Sequence, residues 1–170
     1  KNLIISMMEK HVKKIGEIDL PNLLNNCRDQ GWLEPIDEHD DSPKGFEEVE
    51  NESRPDLNFL RWDHDTSPKV FLDDSVPKFI QEISKKYDTW LFRVMCLAPE
   101  TTLDYHMDFN KRVNIPLITN DSCFYIFDDT LYKLPADGSV FLTDTKVKHT
   151  AINCSKDEYR FHLIGYTNVN

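Results

Sequence analysis

The apolar residues of this chain keep two different rhythms. From Thr89 onward, short runs alternate apolar and polar positions with period two: TWLFRVMCLAP, RVNIPLI, SCFYIFD, LYKLP, SVFLTD, KHTAIN and YRFHLIGYT. Successive side chains of an extended chain point to opposite faces, so this period predicts strands. Turn formers separate the runs, at Pro99, Asn120-Asp121, Asp128-Asp129, Asp137-Gly138 and Ser155-Lys156-Asp157. Short strands with no helix between them predict an antiparallel sandwich or small barrel.

Before Thr89 the pattern is helical or absent. DLPNLLNNCRDQG reads as a helix, with Asp19 as cap, Pro21 in the first turn and Gly31 to end it. DDSVPKFIQEISKKYD reads as another, with Val76, Phe79, Ile80 and Ile83 on one stripe. Residues 34–58 are acidic and broken by Pro35, Pro43 and Pro55, the pattern of a long surface loop suited to a lid. The opening KNLIISMMEKHVKK has only a short apolar patch and no small-residue cleavage site. It reads as a short helix rather than a signal peptide. The expectation is a single domain over 1–170, mainly β with N-terminal helices (α+β). A helical and loop-rich flank over 1–88 would pack on a β core over 89–170.

Composition narrows the function. A length of 170 residues suits one domain with a real core, and 39% hydrophobic with 11% aromatic residues excludes a disordered chain. The net charge of -10 argues against nucleic acid as a partner, because that affinity comes from basic side chains neutralising phosphates. No apolar run approaches the roughly 20 residues that span a bilayer, so no membrane partner is expected. Cys27, Cys96, Cys123 and Cys154 form no CxxC pair, which argues against a zinc knuckle and for buried free thiols. With no export signal, the chain reads as cytoplasmic.

Candidate chemistry concentrates in LDYHMDFNKRVNIPL. In an extended segment His106 and Asp108 point to the same side and can aim at one atom. A second histidine from a neighbouring strand would complete a two-histidine, one-carboxylate set, which leaves three positions open on Fe(II). His149 and His162 are the downstream candidates. Arg160 alternates with Tyr159, Phe161 and Leu163, which places a guanidinium on the inner side of a strand. That is costly unless it meets an anion. Iron with open positions beside such an arginine suggests a bidentate keto acid. The second HxD, His39-Asp40-Asp41, lies in the acidic loop without rigid support and reads as a solvated face. Arg93 reads as a structural ion pair, with recognition of a substrate carboxylate as its alternative. Trp62 and Trp90 read as packing residues, and Asn153 as a turn residue.

His106-x-Asp108 followed by LPADGSVFLTDTKVKHTAINCSKDEYRFHL resembles the Fe(II)/2-oxoglutarate oxygenases. More narrowly, HMDFNKRVNIPLITN with HTAINCSKDEYR resembles the aspartyl/asparaginyl β-hydroxylase family, which includes free-proline hydroxylases. The resemblance covers about residues 90 to 167, with RWD at Arg61 to Asp63 as an earlier echo. It implies a double-stranded β-helix (jelly-roll, cupin-like) core and the cofactors Fe(II), 2-oxoglutarate as cosubstrate and O2. It implies that His106, Asp108 and His149 bind iron and that Arg160 holds the far carboxylate of 2-oxoglutarate. Arg112 matches the family arginine that contacts cosubstrate or substrate. Asn114 stands where that segment commonly has histidine. His162 shares a strand face with Arg160 and is placed with the cosubstrate pocket. The implied reaction hydroxylates an unactivated C–H bond of an amino acid, free or as an Asp/Asn-type residue in a peptide, releasing succinate and CO2. The alternatives are a cupin-like metal-binding module without oxygenase activity and, more remotely, a sugar-binding jelly roll. The need for an anion anchor at Arg160 separates these from an oxygenase.

Overall fold

The computed structural model describes residues 10–34, 57–61, 77–167 and 169. The segment 1–9, residues 35–56, the His39-Asp40-Asp41 triplet, Trp62 and Val76 lie outside the described residues.

Strand β1 (Val12–Glu17) leads into helix α1 (Leu20–Asp29). Strand β2 (Leu57–Arg61) and helix α2 (Lys78–Tyr87) follow. The rest is strand: β3 (Thr89–Leu97), β4 (Thr101–Thr102), β5 (Lys111–Ile118), β6 (Cys123–Phe127), β7 (Thr130–Tyr132), β8 (Ser139–Thr143), β9 (His149–Asn153) and β10 (Arg160–Thr167). All pairings are antiparallel. A six-stranded sheet runs β1-β8-β5-β10-β3-β2, and a four-stranded sheet runs β4-β9-β6-β7.

The helices form where local chemistry predicts them. The Asp19 carboxylate accepts from Asn22 N and satisfies one orphan donor of α1, while Pro21 sits where its missing N–H costs nothing. Asp88, in the left-handed region at φ 47°, ends α2. The β8 turn needs Gly138 at φ 91°, and a Cβ there would meet Ile18 O at 2.6 Å.

The opening segment corrects the sequence reading. Val12–Glu17 is a strand paired with β8, not part of a helix. All five residues of β8 are buried, and its second edge requires a backbone partner. That ladder outweighs the local helical preference of a Lys-rich stretch. β2 pairs with β3 in the same way. Residues before 89 therefore supply both edges of the large sheet, and the expected division into a helical flank over 1–88 and a sheet core over 89–170 does not follow its limits.

The large sheet has two different faces. Outward from β5 and β10 point Val113, Ile115, Leu117, Phe161 and Leu163, all buried against Leu23, Cys27, Ile80, Ile83 and Tyr87 of the helices. Inward, Phe141 of β8 and Leu97 of β3 pack with Tyr125, Phe127 and Ala151 of the small sheet. Arg112, Asn114, Arg160 and His162 occupy this inner face in the same alternation. The helices take the oily side, and the polar positions are left to line the space between the sheets.

No disulfide forms among the four cysteines. Cys27, Cys96 and Cys123 are buried as expected, whereas Cys154 is exposed in the turn after β9. Burial pushes the Cys27 thiol up to about 12. No helix among the described residues is long and apolar enough to cross a membrane.

Candidate metal centre and its anion pocket

His106 and His149 face each other as one reciprocal antiparallel pair. His106 N donates to His149 O at 3.0 Å, and His149 N donates to His106 O at 2.8 Å. The segment carrying His106 and Asp108 is not a continuous strand, although its alternation reads as one. It is a connection pinned at three points: Leu103 N to Ala151 O, the His106–His149 pair, and Asp108 N to Thr145 O at 2.8 Å. Thr145 also donates its hydroxyl to Asn110 O. Those pins keep the i, i+2 relation that points both side chains inward.

Both imidazoles have their Nδ1 atoms committed. His106 Nδ1 donates to Asp104 O at 2.7 Å, and His149 Nδ1 donates to Val147 O at 3.0 Å. A backbone carbonyl on Nδ1 leaves the lone pair on Nε2, the usual second layer behind a metal-binding histidine. Both Nε2 atoms face Asp108: His149 Nε2 is 3.4 Å from Oδ2, and His106 Nε2 is 3.9 Å from Oδ1. Ligand atoms of the three residues all lie within 4.8 Å of one another. Neighbouring ligands on an octahedral ion stand about 3 Å apart when bonds are about 2.1 Å. Asp108 Oδ2 is buried and receives no directed hydrogen bond, although Arg112 Nη2 approaches it to 2.6 Å. Burial works to raise the Asp108 carboxyl, but the close approach of His149 and the positive charge of Arg112 outweigh it and hold it below the ordinary value. An ionised oxygen and two aimed lone pairs fit a divalent cation. His149 is locked further by Phe127, stacked on it at 5.5 Å and 17°.

A single cavity is lined by His106, His149, Arg112, Asn114, Tyr125 and Arg160, with Met95, Leu97, Leu103, Thr143 and Thr145 among its other walls. Arg160, only 2% exposed, lies with its Cζ 4.5 Å over the Tyr125 ring. Its Nε donates to His162 Nε2 at 3.0 Å. His162 Nδ1 is 2.8 Å from Asn114 Oδ1, and Asn114 Nδ2 donates to the Tyr125 hydroxyl at 2.9 Å. His162 is fully enclosed. Burial first, then the charge of Arg160, holds its pKa well below the usual value of 6.5, so the ring is neutral.

The turn that delivers Arg160 is built by Asn153, which is fully buried. Its Nδ2 donates to Leu97 O, Ala98 O and Glu158 O, while its Oδ1 accepts from Ser155 N and Ser155 Oγ. Arg93 lies beside the site but is not among the cavity-lining residues. Its Nη1 reaches the Tyr166 hydroxyl at 3.4 Å, and burial, with the charge of Arg112, pulls the guanidinium down to about 10. Tyr166 sits between two guanidiniums, with Arg93 Cζ at 5.2 Å and Arg112 Cζ at 5.0 Å from the ring centroid. Trp90 packs against the Tyr166 ring, as expected of a packing residue.

Thus the fold brings His106, Asp108 and His149 to one point. His162, the other candidate third ligand, stands instead behind Arg160. Arg112 is Asp108's partner. His162 supports Arg160 directly, and Asn114 in turn supports His162. Sequence reasoning missed Tyr125. Its inward alternation with Cys123 and Phe127 in SCFYIFD was readable, but its place under Arg160 depends on packing between sheets.

An antiparallel β-sandwich with a His-Asp-His cluster at one end of a polar cavity defines a candidate metalloenzyme. The family model described as aspartyl/asparaginyl beta-hydroxylase matches residues 58–166, and the chain belongs to that family. It is thus a hydroxylase-type protein. No curated protein matches it significantly.

Proposed function

We propose that the chain is an Fe(II)- and 2-oxoglutarate-dependent dioxygenase that hydroxylates a C–H bond of an amino acid, free or as an Asp/Asn-type residue in a peptide. The sandwich is then a double-stranded β-helix, in keeping with two antiparallel sheets that curl around the cavity. The observation that carries the reading is the presence of two complementary sites in one cavity: a three-atom cation site and a buried guanidinium.

His106, Asp108 and His149 would hold the metal and leave three of six positions open. Bound iron supplies the coupling of O2 to oxidative decarboxylation of 2-oxoglutarate, so that one oxygen atom enters the substrate C–H bond and the other leaves in succinate, with CO2. The protein contributes orientation and dryness. Arg160 meets the far carboxylate with paired N–H donors. Asn114 and His162 hold Arg160 in place. Arg112 holds Asp108, and Leu103 and Leu97 keep water from the metal end. The substrate is expected to be a small molecule or peptide entering on the open side.

The test is Fe(II)-dependent succinate formation from 2-oxoglutarate by wild type, Arg160→Ala and His149→Ala, across a panel of amino acids and Asp-containing peptides. Turnover in wild type that is lost in both variants is the expected result. An iron-loaded wild type that neither turns over nor binds 2-oxoglutarate overturns the reading in favour of a metal-binding module without oxygenase activity.

A further inference from the structure

The four-stranded sheet ends at β7, and among the described residues no strand lies beside it on the outer side. The hairpin decides which backbone groups face that edge. Asp128 N donates to Lys148 O, so Ile126 and Phe124, in step with Asp128, turn their N–H and C=O groups to β9. Phe127 and Tyr125 turn theirs to β7, where Thr130 and Tyr132 stand opposite them. Leu131, opposite Ile126, is left with its N–H and C=O directed away from the sheet.

Side chains along this edge alternate. Asp129, Leu131 and Lys133 are exposed, while Tyr132 and Leu134 are buried. Leu131 is 55% exposed, and across the outer face it continues into Ile126, Phe124 and Ile152, all half-buried. A bare edge is a template for another chain, and proteins guard such edges with lysines and bulges. β1, an edge of the large sheet, carries both: exposed Lys13 and Lys14, and a register shift between Lys14 and Gly16. β7 has an unbroken ladder, and its two charges are opposite in sign, each two residues from Leu131.

A second copy of the chain meets this pattern. In an antiparallel pair centred on Leu131, the two leucines face each other, and each Asp129 faces the Lys133 of the other copy. Lys133 rests on Asp121 at 3.4 Å within its own chain, but both side chains are exposed, and such a pair holds a lysine weakly. Chains of net charge -10 repel as wholes, so they meet best where matched charges are offered.

We propose that β7 is a self-pairing edge, through which two copies join in antiparallel register about Leu131 and continue the small sheet across a two-fold axis. The interface borders the metal centre without using its residues. The turn before β7 accepts the Tyr105 hydroxyl at Asp128 O and is tied to Lys148, and these are the chain neighbours of His106 and His149.

The experiment is sedimentation velocity on the full chain at concentrations up to about 1 mM, the range of a weak dimer. A concentration-dependent dimer of the 20.0 kDa chain is expected. Lys133→Glu and Asp129→Lys each set like charges opposite one another at two symmetric places, and each is expected to weaken the dimer by about 10- to 100-fold. Mixing the two variants makes both facing pairs attractive again, so a heterodimer is expected, and the double variant is expected to pair with itself. Leu131→Pro removes an N–H that no bond within the sheet uses, and it is expected to abolish the dimer with the far-UV circular dichroism unchanged. If Leu131→Pro does not fold, the charge variants, which alter only exposed side chains, still decide. A wild type that stays monomeric throughout overturns the proposal. A dimer that survives the single charge reversals places the contact elsewhere and overturns it too, as does a mixture of the two variants that stays monomeric.

Discussion

His162 makes the stability of the protein depend on pH in a calculable way. Its ring is 1% exposed, accepts from Arg160 at Nε2 and donates to Asn114 from Nδ1. The strands beside it offer Pro116 and Met95, neither charged, and the facing ring of Tyr125 is 5.8 Å away. A second proton would remove the acceptor for Arg160 and set two cations together, so the folded-state pKa is depressed. The sign follows. A depressed pKa contributes stability that is whole above the unfolded value of about 6.5 and is lost as pH falls below it. With one proton at stake the slope is at most about 1.4 kcal/mol per pH unit, or about 2 kcal/mol between about pH 6.5 and about pH 5. For a chain of this size that lowers Tm by roughly 4–8 °C. The assay is urea unfolding of the metal-free protein in chelator across that range, wild type beside His162→Gln. Carboxylates titrate in both, so the difference between the two curves isolates His162. The wild-type advantage is expected to shrink at close to the full one-proton slope. Parallel curves would refute the neutral-ring assignment.

Two further predictions concern the frame of the site. Phe127 is fully buried between Tyr125, Tyr132 and His149, so Phe127→Ala should cost about 3–5 kcal/mol in urea unfolding and weaken Co(II) binding, with Phe127→Leu costing less than about 1.5 kcal/mol; unchanged metal affinity would show that the stacking does not hold His149. Gly165 sits where β10 shifts register, and a Cβ there would meet Thr89 Cγ2 at 2.5 Å and Trp90 O at 3.0 Å, so Gly165→Ala should lose about 1–3 kcal/mol in thermal melts, whereas a neutral result would mean that β3 and β10 can separate at no cost.

Much of the fold was legible because strands and helices announce themselves locally. The period-two runs after Thr89 became β3 and β5 to β10, since alternation records which side of each strand is buried. Asp19 and Pro21 marked the start of α1 because capping is a nearest-neighbour matter. The strand at Val12–Glu17 was not legible, because its reason lies in the free edge of β8, far along the chain. His106 and Asp108 could be paired from spacing alone, as extended backbone puts residues two apart on one side. The choice of His149 over His162 as their third partner could not be made from spacing. Both histidines lie on inner strand faces, and only the pairing of the 106 segment with β9 places one Nε2 near Asp108 and leaves the other behind Arg160.

The amino-acid sequence by itself determined the strand rhythm, the helix ends, the residue types able to bind a cation and an anion, and the i, i+2 geometry of the first two ligands. These depend on backbone sterics and side-chain period, which act over a few residues. Only the tertiary structure decided that Arg112 belongs to Asp108, that Asn114 and His162 form a hydrogen-bond chain behind Arg160, and that Tyr125 closes the pocket under Arg160. Those contacts join strands brought together by sheet pairing and by packing of one sheet on the other. Such a contact is set by its partners in space, so no local pattern along the chain encodes it.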